Sequence, residues 1–299
     1  MMKRFLVITA ALVLSLATYI PAYATQGGGG AYPNGAEDFM SGALPPPGTY
    51  LLNYLQYYSS DRLNDNNGEK IAPGFKLNVV ADVVRIVHVT KQQLLGASWA
   101  MHLFLPVVNM DVTVPGRGSD HRTGLGDIII DPMILGWHGA NWHVTTGVDF
   151  YLPTGAYDKN RLANPGRNYW TFEPVLAGTW LTDSGFEVST KLMYDFNTMN
   201  NDLDYLSGQE FHLDYTIGQK LGDFNLGLAG YFYQQVTDDE QNGTKVAFND
   251  GNKGRVFGVG PAVKYQFKNM SFSLKYLFET AVENRPEGGN LWFKCSYAF

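Results

Sequence analysis

Cysteine is almost missing from this 299-residue chain: Cys295 stands alone. That excludes an intramolecular disulfide, and it leaves no N-terminal cysteine for a lipid anchor. Charge is also scarce, at 17% Asp, Glu, Lys and Arg, which is thin for a fully solvated surface. A basic excess is absent, with 22 Lys and Arg against 28 Asp and Glu and a net charge of −6. Nucleic acid and anionic lipid surfaces are therefore excluded as partners of choice. Past residue 20 no apolar run is long enough for a spanning helix. The histidines at 88, 102, 121, 138, 143 and 212 show no His-Glu-x-x-His spacing. Nor does the sequence contain a Gly-x-Ser-x-Gly elbow, a Lys-bearing phosphate loop or a dinucleotide glycine pattern. No catalytic residue, metal site or cofactor is expected on these grounds.

Aromatic residues, in contrast, are abundant: 18 Tyr and 18 Phe within a 14% aromatic total. The chain opens with Lys3 and Arg4, an apolar run from Phe5 to Ile20, and Ala22-Tyr23-Ala24. This reads as a secretory signal peptide over residues 1–24, cut after Ala24. Its removal leaves 20 basic against 28 acidic residues, a net charge of −8. Residues 25–47 form a leader, flexible at Gly27–Gly30 and stiff at Pro45-Pro46-Pro47. Between them, residues 34–40 carry the signals of a short capped helix, in the barrel lumen or in the periplasm.

The chain ends on Leu291-Trp292-Phe293-Lys294-Cys295-Ser296-Tyr297-Ala298-Phe299, apolar on one parity and mostly polar on the other. Period two means a strand with one greasy face. By itself the segment fits the edge of a soluble sandwich or the last stave of a membrane barrel. The connections separate the two. About twelve strand-like runs span residues 48–299, and many exceed the usual five or six residues. The gaps at 61–74, 110–123, 154–168, 198–206 and 238–254 are long and polar; the sixth of that set, 285–290, is shorter. Those at 91–96, 139–141, 183–185, 222–223 and 268–269 are short. Alternating long and short connections are the pattern of external loops and periplasmic turns. The expected fold is an all-β, transmembrane antiparallel barrel of outer-membrane type over residues 48–299, in the bacterial outer membrane.

Face assignments point to a polar lumen. In the run 186–197, Phe186, Val188, Leu192, Tyr194 and Phe196 oppose Glu187, Ser189, Lys191, Asp195 and Asn197. A lumen bet follows for Asp127, Asp131, Asp149, Glu173, Lys191, Asp195, Glu210 and His212, as a mixed-charge constriction that disfavours anions. The alternative is that these groups only fill and brace a narrow barrel. Tyr157, Arg161, Arg167 and Tyr169 are the loop residues expected to meet a ligand first. The strand residues Pro106, Pro132, Pro174 and Pro261 cannot donate to a ladder. Pro106 and Pro132 on neighbouring strands predict a kink, read either as curvature or as a gap for sideways exit.

Several segments resemble the SphA-like proteins of the outer-membrane family named for the meta pathway of phenol degradation. They include Leu44-Pro45-Pro46-Pro47-Gly48-Thr49-Tyr50, Gly124-Leu125-Gly126-Asp127-Ile128, Leu135-Gly136-Trp137-His138 and Tyr151-Leu152-Pro153-Thr154-Gly155. Asn164-Pro165-Gly166-Arg167-Asn168-Tyr169-Trp170 and Glu283-Asn284-Arg285-Pro286-Glu287-Gly288 add to the likeness. The resemblance implies a channel or transporter taking up aromatic or other small hydrophobic compounds. Outer-membrane lipid, that small molecule and the outer-membrane assembly machinery are the partners expected. A hydrophilic solute porin is the runner-up; a purely structural barrel and an outer-membrane lipase stand behind it.

Overall fold

The structure, a computed structural model, describes residues 29–299; the signal-peptide segment lies outside them. Twelve long strands make the wall: β1 (Gly48–Asn64), β2 (Lys76–Leu94), β3 (Ala97–Val114), β4 (Ile128–His138), β5 (Trp142–Leu152), β6 (Thr171–Leu181), β7 (Phe186–Asn197), β8 (Glu210–Leu221), β9 (Phe224–Gln235), β10 (Arg255–Phe267), β11 (Met270–Glu283) and β12 (Pro286–Ala298). Each pairs antiparallel with its neighbours in sequence, and β12 returns to β1 from Tyr50–Ala298 through Ser59–Gly289. Closure leaves no edge, so the backbone groups of the spanning ladders are met within the sheet. The fold is a closed outer-membrane-type barrel. No described helix is long and apolar enough to cross a membrane.

Connections at one end are tight. Leu95 and Gly96 both have positive φ, 53° and 75°, as a two-residue hairpin turn with the matching twist requires. At the other end the chain departs from the expected pattern in four places. Residues 110–123 are not a loose loop: Gly118–Leu125 pairs with Val107–Val114 and carries the β3 hairpin onward beyond the barrel. The expected single strand 124–138 is broken at Gly126-Asp127. Residues 286–290 are strand rather than loop, since β12 begins at Pro286. The alternation of Leu291–Phe299 fades upstream into Gly288-Gly289-Asn290, which hid that extension. The 238–254 loop and Tyr205–Leu206 build a small three-stranded sheet of their own.

The last strand faces as its parity predicts: Lys294 points inward, and Leu291 and Tyr297 are exposed on the lipid side. β1 has the opposite difficulty, with tyrosines on both faces. Tyr54 is buried in the lumen while Tyr57 is exposed. The inner tyrosines are satisfied at their tips, Tyr58 by donating to Glu279 at 2.9 Å. β2 is Val- and Ile-rich on both parities, and its Asp82 and Lys76 lie on the exposed outer face, with Asn53 donating to Asp82 at 2.5 Å.

Residues 29–47 run lengthwise through the lumen and form no helix; 34–35 and 39–42 are turns with an irregular stretch between them. Near the external end, Arg167 donates to the Gly30 carbonyl at 2.9 Å. At the other, the Gly42 N–H reaches Thr179 Oγ1 at 3.0 Å. A Cβ on Gly42 would come within 2.5 Å of the Gly178 carbonyl carbon, so only glycine allows the leader that close to the wall.

Candidate functional site

The leader divides the lumen into two walls of opposite charge. On one wall β5 to β8 project Asp149, Glu173, Glu187, Asp195, Glu210 and Asp214, all buried, with Lys191 among them. On the other stand Arg85, Lys275 and Lys294. The leader presents opposite faces to the two. Its backbone N–H groups go to the acidic wall: Gly35 and Glu37 donate to Asp214 at 2.8 and 2.9 Å, and Met40 donates to Glu187 at 2.6 Å. Its carboxylates go to the basic wall: Arg85 donates to Glu37 at 2.9 Å and Lys294 to Asp38 at 2.7 Å, while Lys275 donates to the Glu37 carbonyl. Buried charges are tolerable only when paired and hydrogen-bonded, and here the leader supplies much of the pairing.

Six of the eight lumen residues expected from the sequence meet in one cluster. In the ladder Asp149 stands opposite Glu173, and Asp195 opposite Glu210. Lys191 Nζ lies 3.6 Å from Asp149 and 3.8 Å from Glu173. His212 Nε2 lies 3.4 Å from Glu173 and 3.3 Å from Asp195. Asn197 donates to Glu210 at 3.1 Å, and the Tyr151 hydroxyl to Glu173 at 3.0 Å. Tyr32 of the leader stacks on the His212 ring at 5.0 Å, with Lys191 Nζ 4.8 Å from the same tyrosine. The sequence reading missed Arg85 and His102. Arg85 can only donate, so its 2.9 Å contact makes His102 Nδ1 the acceptor, and Nε2–H then points at Asp149, 2.8 Å away.

The other two expected lumen residues stand outside this cluster. Asp127 lies above β4 and serves as a loop anchor, accepting the N–H groups of Gly155 at 2.8 Å and Arg167 at 2.7 Å. Asp131 is buried beside the kink and accepts the Met133 N–H at 2.7 Å. Parity reasoning cannot place Asp127, because the strand breaks at Gly126-Asp127, whereas Asp131 keeps the inner side, opposite His102 in the β3–β4 ladder. The four loop residues are engaged within the protein. Asn200 donates to the Tyr157 hydroxyl at 3.0 Å, Arg167 reaches the leader, and Tyr169 is buried. Arg161 donates to Asp120 at 2.5 Å. That guanidinium and the Ala163 N–H hold the Asp120 carboxyl well below the usual carboxylate range.

Each of the four strand prolines interrupts a ladder. Pro106 pairs with Val83 on β2, but pairing to β4 stops at Phe104–Ile129 and resumes only with Val107–Leu125. Around Pro132 the β4–β5 ladder has no pairs between Ile130–Phe150 and Leu135–Thr146 and shifts register there. The β3–β4 ladder also slips there, between Ala100 and His102. Pro174 pairs with Val148 but leaves the β6–β7 ladder open, and Pro261 pairs with Leu228 but leaves the β10–β11 ladder open. The missing N–H of proline explains each interruption. Beside Pro261 the outer wall is hollowed into a groove of about 410 Å³, lined by Leu226, Val263, Leu274, Tyr276 and Leu291 among others, with the inner residue Lys275 at its floor.

A sequence family described as "Putative MetA-pathway of phenol degradation" matches residues 60–295. The chain belongs to that family. Its fold is shared with the COG4313 outer membrane channel from Pseudomonas putida F1, at 19% identity and a TM-score of 0.78, covering 88% of this chain and 99% of that one. The beta domain of the Bordetella autotransporter BrkA is a more distant likeness, at 11% identity and a TM-score of 0.51, covering 84% and 99%. No curated protein matches the sequence. Membership in the phenol-degradation family and the closed twelve-strand barrel agree with the resemblance seen in the sequence.

Proposed function

We propose that this family member is a non-enzymatic outer-membrane channel for small hydrophobic molecules, aromatic compounds among them, which leave the barrel sideways through the wall. The observation that carries this reading is the apolar groove at Pro261. It lies where the β10–β11 ladder lacks the pairs of Gly260 and Pro261, and lipid-facing Leu274 and Tyr276 border it. An apolar solute gains about 25 cal/mol per Å² of surface removed from water, so a path ending in lipid is downhill for it. A hydrophilic porin requires a continuous water path instead. The leader hydrogen-bonded to both walls along the lumen counts against that runner-up.

The test is to close the wall without touching the lumen. Pro261 and Tyr276 stand opposite each other by the β10–β11 register. In a Cys295→Ser background, Pro261→Cys with Tyr276→Cys places two thiols to lock the two strands together there. Oxidised protein is expected to lose uptake of a small aromatic probe in cells, and reduction to restore it. Uptake indifferent to the bridge refutes sideways exit. A large, steady conductance of the native protein in planar bilayers would favour the porin.

A further inference from the structure

We propose that Glu173, Asp195 and His212 form a binding site for a first-row divalent metal ion of the zinc class, inside the barrel and beneath Tyr32 of the leader. One imidazole and two carboxylates on adjacent strands β6, β7 and β8 bring their ligand atoms within 4.8 Å of one another, and all three residues are buried. Nitrogen and oxygen ligands of this kind suit zinc and its neighbours.

The two distances from His212 match those between ligands sharing one ion. His212 Nε2 is 3.4 Å from Glu173 Oε2 and 3.3 Å from Asp195 Oδ2. Zinc bonds of roughly 2.0–2.1 Å in a tetrahedron separate ligand atoms by about 3.3–3.4 Å. A charge-assisted N–H···O bond would be nearer 2.7–2.9 Å.

Hydrogen bonding points the same way. Asp195 is 0% exposed, and its oxygens make no well-formed hydrogen bond; the His212 ring, 3.3 Å away, is their ion-pair partner, and that ring in turn makes no well-formed hydrogen bond of its own. Buried polar atoms left unmatched in this way call for an explanation such as an ion. The surrounding charge favours a cation. Lys191 reaches Asp149 and Glu173, and Glu210 adds a further buried carboxylate opposite Asp195. The Tyr151 hydroxyl donates to Glu173 and would orient it from behind, as an outer-shell group does.

The experiment uses the full protein purified in detergent, stripped with a chelator and dialysed against Zn²⁺. His138 and His143 form a surface pair with Nδ1 atoms 3.0 Å apart that would also take zinc, so the parent carries His138→Ala and His143→Ala. One equivalent of zinc per chain and a raised melting temperature are expected in that parent. Both are expected to be lost in Asp195→Asn and His212→Gln, and kept in His102→Gln. A parent that retains no zinc, or variants at 195 and 212 that retain the same equivalent, would overturn the site. Should those variants fail to assemble, Co²⁺ added to the stripped parent gives an independent reading. Visible d–d absorption that Zn²⁺ displaces supports the site, and a colourless protein refutes it.

Discussion

Asp214 is the residue on which the seating of the leader turns most directly. Its Oδ2 accepts the Tyr32 hydroxyl at 2.6 Å and the Glu37 N–H at 2.9 Å, and its Oδ1 accepts the Gly35 N–H at 2.8 Å. Asp214→Asn preserves shape but replaces one acceptor oxygen by a donor. In the better amide orientation the oxygen keeps Tyr32 and Glu37, and the NH₂ faces the Gly35 N–H. One bond to a charged acceptor, worth about 1.5–3 kcal/mol, is lost, and the other two fall to the strength of neutral bonds. The Gly35 N–H is then buried without a partner, which adds to the cost. The leader should therefore be unseated by about 2–4 kcal/mol, a roughly 30- to 700-fold rise in its open population. Hydrogen exchange read at the Gly35 and Glu37 amides reports that population directly. Ladder amides of β8 serve as the internal reference, since the wall should be unaffected. Exchange at 35 and 37 that changes less than threefold, with the barrel intact, would refute the view that this network seats the leader.

Two further outcomes follow from the ends of the molecule. Phe299 donates its N–H to the Thr49 carbonyl at 3.2 Å, at the seam where the barrel closes; its deletion is expected to lower the amount of folded barrel recovered from the outer membrane, and unchanged recovery would refute a role in assembly. Outside the membrane, Asp120 ties down residues 161–163 through Arg161 and the N–H groups of Leu162 and Ala163. Because its folded pKa is depressed, this tether is fully present above the unfolded value of about 3.9 and is lost as pH falls through the folded one. Protease cleavage within 156–163 is expected to stay slow from pH 8 down to about pH 5 and to speed up only below about pH 4, whereas Asp120→Asn should be cleaved quickly at pH 7.

Barrel architecture was legible because it depends on periodicity and loop length, both written along the chain. All twelve runs are strands, and those at 186–197 and 255–267 keep their expected limits. What failed has local causes. β1 and β2 carry apolar or aromatic residues on both parities, so their faces, and with them Arg85 and the outward Asp82, could not be read. Gly126-Asp127 breaks a run whose composition reads as continuous, and this moved Asp127 out of the lumen set. The polar cluster was half visible. Asp149, Glu173, Lys191, Asp195, Glu210 and His212 each lie on an inner parity, but strand-to-strand register decides which of them meet. No pattern in 29–47 announces that its N–H groups and carboxylates face opposite walls. That is a property of the filled lumen, not of the segment.

Those opposed walls lead to one more consequence. With the leader in place, Glu37 and Asp38 neutralise Arg85 and Lys294, and leader N–H groups satisfy Asp214 and Glu187. Deleting residues 25–47 removes both sets of partners at once and lets water take their place. The cations of β2, β11 and β12 then face the acids of β5 to β8 across an aqueous gap. Opposed rows of this kind set up a field across the pore instead of along it, so they narrow the ion path without strongly favouring one sign. The acidic wall is the more densely charged of the two, which tips the balance towards cations. The deleted barrel is therefore expected to conduct steadily in planar bilayers with only a modest cation preference, visible as a small reversal potential in a salt gradient. Strong anion selectivity would show that the basic wall dominates and that the acids opposite it are largely neutralised. A deleted barrel as closed as the native one would show that wall side chains, not the leader, block the lumen.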